Sequence, residues 1–596
     1  MLQLFRDARG RLRLEVVPPP TVGAGTLLLD VSASLVAPGG TAASSAGRAR
    51  TAARLARAVT SFVERWREAG LVCAAQHLRS KWAELAPLGW SVAGTVASAE
   101  DPTGIGRKAV GFGAGVALHA ERVRLPADRV ILLPDGFDLV PAPLIPPLAA
   151  CLVGEAASAR RRGGVWGGLA RLVGAAGLAT DGPESGAREP SVGAGRLIPG
   201  ASATTRALAA ATELLRRLPE AELRRLAPPI AIADERAWRA AFAEGRDFTL
   251  LWSPPPSEAS RRPVVIRRQN RLGAVRVGVV GCGVFAKLHH LPNLHRLAQC
   301  EIHAIATDSP GNALQTARQY GAAYCTTDYR ELVADSDIDL LLVLTRHNLH
   351  VPMILDAVKA GKSVFVEKPV ATDWAGLDAL SSLPPDARVT VGFNRRFAPL
   401  AAAVGRWLRD RRGPAMIAYS VNFGPSAAAW LSDPREGGGR LIGAACHYVD
   451  LATWLLGRVP VRVSADMVRS DAPGVVSDDN FVANVGYDDG SLATIWFSSL
   501  GVRGPFPRER MECFFDGRIV VVEDFQRLRG SVGRQTLTRP DFGERAEMMA
   551  VLDCEQRRLP PPVPLRDGIL ATAVTLKILE TLRSTPGRYV PIGEPT

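Results

Sequence analysis

The sequence predicts an α/β protein in which a parallel sheet is followed by an α+β domain with an open, mainly antiparallel sheet. A mostly β domain precedes the pair. Three observations carry this reading. Between residues 275 and 370, buried-type apolar runs alternate with helical segments. Beyond residue 397 the runs lengthen, alternate apolar with polar, and break at Asp-Gly turns. Residues 1–155 consist of short β-like runs closed by Gly, Pro and Asp.

Taken in order, residues 1–155 hold "TLLLDVSASLVAPGG" and "LGWSVAGTVASAED", two β-like runs with an Ala/Arg helix between them. Residues 156–271 shift to Ala, Gly and Arg and read as a connector, followed by a helix over "TTRALAAATELLRRLPEAELRRL". Residues 272–396 carry "VRVGVVG", "EIHAIATD", "DLLLVLT" and "SVFVEKP", strands of a parallel sheet joined by right-handed crossovers. Residues 397–596 carry "FVANVGYDDGSLATIWFSS" and "MECFFDGRIVVVED", closed by the helix "DGILATAVTLKILETLRS".

The totals narrow the function. At 596 residues and 47% apolar, the chain holds about four domains or subdomains. Its net charge of +13 is scattered, without an aromatic-interleaved basic stripe, so no nucleic-acid partner is expected. Arginine supplies nearly all of that charge. The lysines are Lys81, Lys108, Lys287, Lys359, Lys362, Lys368 and Lys577, so a lysine inside a motif stands out. The eight cysteines form no C-x-x-C pair and no metal-ligand spacing, which predicts reduced thiols and no metal. The first residues lack a signal-type apolar core and no run reaches ~18 apolar residues, so a soluble cytoplasmic protein without a membrane partner is expected.

The chemistry concentrates in a few stretches. Gly281, Gly283 and Ala286 form G-x-G-x-x-A between a strand and a helix start, where the backbone can approach a pyrophosphate. The next strand ends at Asp308, placed to accept a hydrogen bond from a ribose 2′-OH, which leans toward NAD rather than NADP. The fourth strand runs into Glu367, Lys368 and Pro369 at the carboxyl end of the sheet, where open α/β folds bind ligands. In "GGGRLIGAACHYVDLATWLLG", His447 and Asp450 share a helical turn, and a histidine suits removal of a hydroxyl proton.

With these motifs in order, residues 275–590 resemble the Gfo/Idh/MocA oxidoreductases, through "GCGVFA", "TRHNLH", "AGKSVFVEKP", "GFNRRFAP" and "CHYVDLATWLLG". The resemblance implies a Rossmann domain, an open-sheet substrate domain, and NAD or NADP lying between Lys368 and His447. It also implies hydride transfer to or from a CH–OH group of a sugar, cyclitol or nucleotide-sugar. Lys368 would polarise the reacting oxygen and His447 would carry its proton. Val284, Phe285, Thr345, His347, Asn348, His350 and Glu367 would join the glycines and Asp308 around the cofactor. Arg395, Arg396, Tyr448 and Asp450 would lie toward the substrate or the domain junction, and the open sheet would pair copies into a homo-oligomer. Residues 1–155 resemble the GroES-like part of medium-chain dehydrogenases, as in bi-domain fusions. Two departures stand out. Many family members have an aspartate four residues before the histidine, where this chain has Gly443. No second glycine fingerprint follows the front domain, so the resemblance implies that residues 156–271 are a linker or a degenerate remnant of a medium-chain Rossmann domain. They leave open a catalytically silent NAD-binding scaffold and a two-site fusion enzyme.

Overall fold

The computed structural model describes residues 1–7, 12–23, 25–36, 86–87, 89–113, 117–150, 169, 203–218, 220–252, 263–266, 273–424, 429–433, 435–469, 477–501 and 506–592. The Ala/Arg helix expected before residue 86 and the glycine-rich "GGVWGG" stretch lie outside them, Leu169 apart.

The front unit is built on a seven-stranded sheet centred on the long strand Thr26–Val36, which pairs with Ser91–Ala99, Arg122–Pro126 and Phe248–Leu251. That last strand lies within residues 156–271, so part of that region belongs to the front sheet. Helices Ala203–Arg217 and Glu220–Leu226 flank Pro219, and helix Glu235–Ala243 links two short strands, Pro229–Ala231 and Phe248–Leu251. The chain thus returns to the front sheet and buries Trp238, Phe248 and Leu250 against Leu29, Val31 and Val92.

The central unit is a seven-stranded sheet. Its order is Val264–Val265, Tyr324–Thr326, Cys300–Ala306, Val275–Val280, Leu340–Val343, Ser363–Glu367, Val389–Gly392. All neighbours are parallel except the antiparallel edge pair Val264–Val265 with Tyr324–Thr326. Leaving aside that extra edge, strand order reverses at Val275–Val280, the point beside which doubly wound sheets bind dinucleotides. These strands are buried on both faces, which is why they read as continuous Val, Ile and Leu.

The last unit is a nine-stranded sheet, antiparallel but for the pairing of Met416–Asn422 with Leu492–Ser498. The Asp-Gly signals are honoured: Asp516 and Gly517 both take positive φ between the paired strands Glu509–Phe515 and Arg518–Glu523. One face packs Tyr419, Ile495 and Phe497 into a core with helices Cys446–Leu456 and Leu565–Ser584. On the other, Met416, Val482 and Trp496 stay exposed, Trp496 at 59%.

The units interlock. Phe5 and Val17 of the front unit sit in the core of the central sheet, with Val277, Ile305 and Leu314. Helix Glu544–Arg557 comes back from the last unit to place Met548, Val551 and Leu552 in that same core.

Candidate active site

The strand Val275–Val280 ends at Gly281, whose φ is +90° and whose missing Cβ would lie 2.6 Å from the Leu344 carbonyl oxygen. Only glycine fits there. Gly283 differs: a Cβ on it would meet no atom within 4 Å, so the backbone faces open space at the start of the following helix. Val284 and Phe285 are exposed beside it, while Ala286 packs inward. Lys287 reaches across to donate to Asn312 Oδ1 at 2.6 Å, and Asn312 donates to the Cys282 carbonyl, fixing the glycine turn.

Strand Ser363–Glu367 delivers the next groups. Glu367 Oε1 lies 2.6 Å from His290 Nε2. Burial raises the Glu367 pKa, but the His290 bond and the His290 and Lys368 charges outweigh it and hold the carboxyl below its ordinary value. Lys368 turns the other way and donates from Nζ to the Gly443 carbonyl at 2.8 Å. Gly443 lies one helical turn before His447, so Lys368 and His447 are brought to the same helix start from different units.

His447 keeps 8% of its surface open, and its ring meets Phe393 edge-on at 5.9 Å. Its Nδ1 is buried without a hydrogen-bond partner. Burial first, then the charges of Arg395, Lys368 and Arg508, push its pKa well below that of free histidine, so the ring is neutral at pH 7.

The stretch Thr345–His350 divides by function. Thr345 is half-buried, and Asn348 is exposed with its backbone N–H on the Glu436 carbonyl. His350 is fully buried, with Nδ1 2.7 Å from the Pro369 carbonyl and Nε2 3.3 Å from the Thr345 carbonyl. It ties together the two strand ends that carry Thr345 and Pro369. His347 bonds the Gly437 carbonyl through Nδ1 at 2.8 Å, and its Cε1 stands 2.7 Å from where a Cβ of residue 443 would be. The imidazole therefore occupies the space of the side chain that Gly443 lacks. Burial, then the Lys368 charge, push its pKa down to about 3, so it sits there neutral.

Of the four residues expected toward the substrate or the domain junction, Arg395, Tyr448 and Asp450 are buried and Arg396 is partly buried. Arg395 is held by Glu509 at 2.6 and 2.9 Å, and Tyr419 donates to the same carboxylate. Arg396 forks onto Asp450 and adds Asp567 at 2.7 Å. Tyr448 lies under Arg395 at 5.4 Å and stacks near Tyr419. On this helix His447 keeps 8% of its surface open, whereas Tyr448 and Asp450 keep 0% and 2%.

Sequence reasoning missed three groups here. Arg508 lies over Phe542 at 4.4 Å, lowers the pKa of both His447 and His289, and has a buried Nε without a partner. Glu547 is fully buried with neither oxygen bonded, and burial together with the Glu367 and Glu544 charges holds its carboxyl well above the ordinary value. His290 carries the Glu367 bond. None stands in a recognisable motif; only the "HH" pair after the glycine turn offered a signal.

Residues 275–394 match the family described as oxidoreductase, NAD-binding Rossmann fold, and residues 414–519 match the GFO/IDH/MocA C-terminal domain. Two stretches of the chain thus match the models of the two GFO/IDH/MocA domains, in the family's order. Its relatives include inositol 2-dehydrogenase of Rhizobium meliloti, 32% identical over 193 residues, covering 32% of this chain and 58% of that protein. They also include scyllo-inositol 2-dehydrogenase (NAD(+)) of Bacillus subtilis, 27% identical over 227 residues, covering 38% and 64%. The chain thus spans less than two thirds of the length of these relatives. A solved structure of a putative myo-inositol dehydrogenase from Sinorhizobium meliloti is 25% identical, with a TM-score of 0.46, over 54% of this chain and all of that one. The family's nucleotide fits the residues present: the open space at Gly283 is a cradle that any Cβ would begin to fill, at a helix start where backbone N–H groups meet a pyrophosphate.

Proposed function

We propose that the chain is an NAD(P)-dependent oxidoreductase acting on a CH–OH or C=O group of a sugar- or cyclitol-like substrate. The observation that supports it best is the bond from Lys368 Nζ to the Gly443 carbonyl, which gathers the lysine of the glycine-fingerprinted unit and His447 at one helix start. The relatives named for inositols point to the substrate class.

The bound nicotinamide would supply the hydride acceptor or donor. Gly281, Gly283 and the helix start would seat the pyrophosphate, and Asp308 the adenosine ribose. Lys368, a compact donor with three N–H bonds, would hold the substrate oxygen. His447 enters neutral and so has a ring nitrogen free to take the hydroxyl proton. The Glu367–His290 pair sets a negative charge one residue before Lys368 and steadies the strand end that carries it.

The divisions at residues 155, 271 and 396 belong to this reading. A GroES-like front unit followed by a degenerate remnant of its nucleotide domain over residues 156–271 is part of it, and the strand Phe248–Leu251 on the front sheet is compatible with that. The exposed Met416, Val482 and Trp496 support pairing of copies through the open sheet. No disulfide joins the described cysteines, which fits a reducing cytoplasm.

A second reading, a silent NAD-binding scaffold, draws on the unpartnered Nδ1 of His447 and the absent carboxylate at Gly443. Turnover separates the two. Lys368→Ala and His447→Ala should each lower kcat/KM by about 10²–10⁴-fold on a cyclitol and anhydrosugar panel, with NADH still bound. NADH binding by the wild type with no turnover across that panel would favour the scaffold.

A further inference from the structure

The carboxylate expected to read the ribose does not stand alone. Arg124, on the front strand Arg122–Pro126, donates from Nη2 to Asp308 Oδ2 at 2.9 Å, across 184 residues of sequence. Asp308 is 71% exposed and Arg124 27%, so the pair sits at an open rim. The loop from Asp308 to Gly311 has no basic residue of its own.

The position of Arg124 is fixed by a built junction. Phe5 packs so closely on Gly311 that a Cβ there would lie 2.6 Å from its ring. Arg318 bonds Glu15 at 3.1 Å, and Thr327 donates to the Pro19 carbonyl. These contacts surround the helix Pro310–Tyr320 that follows Asp308.

We propose that Arg124 makes this site a receptor for a 2′-phosphate, so that the chain takes NADPH as well as NADH and the front unit sets nucleotide choice. The inference rests on the NAD(P)-dependent reading. A lone aspartate accepts from a 2′-OH and repels a phosphate, whereas an arginine beside it accommodates the phosphate. Exposed ion pairs are weak, so Asp308 can swing into solvent and release the guanidinium. A guanidinium binds phosphate through two parallel N–H bonds, with more charge to meet than Asp308 offers.

The test is calorimetric titration of the full chain with NADPH and NADH. Arg124→Glu should weaken NADPH at least tenfold more than NADH. Arg124→Lys should keep most of the NADPH affinity, and Asp308→Ala should shift the ratio toward NADPH. Equal losses for both nucleotides in Arg124→Glu would overturn the inference, as would NADH binding by the wild type without NADPH binding. If the wild type bound neither nucleotide, the oxidoreductase reading would fail first and this inference with it.

Discussion

Gly443 and His347 form a size-matched pair, and Gly443→Ala tests it. The added methyl would stand 2.7 Å from His347 Cε1, roughly 1 Å inside the ~3.5–4.0 Å of a comfortable carbon contact. The ring cannot simply retreat: Nδ1 is bonded to the Gly437 carbonyl, Trp430 meets it edge-on at 5.1 Å, and His350 lies 5.8 Å away. Overpacking of this kind costs about 1–3 kcal/mol, against roughly 0.5–1 kcal/mol gained by replacing a helical glycine with alanine. The expected net loss is about 0–2.5 kcal/mol, or up to about 10 °C in the unfolding midpoint at the scale of a 150–250-residue domain. In a His347→Ala background the clash is gone, and the same substitution should be neutral or stabilising by about 0.5–1 kcal/mol. The assay is a four-protein thermal unfolding cycle. Additivity within about 0.5 kcal/mol would show that the two positions do not share one space, and the reasoning would be wrong.

Other consequences can be measured directly. Gly283→Val should leave the unfolding midpoint within about 1 °C, because its Cβ meets nothing, yet weaken NADH at least tenfold; unchanged affinity would remove the glycine turn from the nucleotide site. Arg395→Ala strands Glu509 at 1% exposure, so a loss of about 3–5 kcal/mol is expected in thermal unfolding, and a shift under 1 °C would contradict the buried pair. His347 is neutral when folded down to about pH 3 but takes a proton below about 6.5 when unfolded, so the unfolded state binds more protons in that window and stability is lost as the pH is lowered. Between pH 7.5 and 5 the wild type should therefore lose about 2 kcal/mol relative to His347→Asn; parallel pH profiles would show a proton-accessible ring.

What could be read ahead was local. The glycine turn, Asp308 and the Glu-Lys-Pro strand end are spaced along single elements, and the backbone at Gly281 enforces its residue. Both Asp-Gly hairpins were legible for the same reason. The fates of Arg395 and Arg396 were not, because their partners Glu509 and Asp567 lie 114 and 171 residues away and nothing near "RR" announces them. The seating of His347 against Gly443 was not legible either, because it is defined by a missing side chain. The return of residues 203–252 to the front sheet escaped notice because its strands are three and four residues long, too short for a period to show.

The seating of Phe5 against Gly311 carries a consequence for how the chain is made. During synthesis Phe5 emerges roughly 300 residues ahead of the helix it packs on, an interval of roughly 15–60 s at about 5–20 residues per second. Through that time an aromatic ring destined for the central core has no counterpart, and the front sheet can close only on itself. The central sheet, when it arrives, lacks part of its own interior until those first residues dock. A chain begun after residue 272 would therefore expose the hollow beside Gly311.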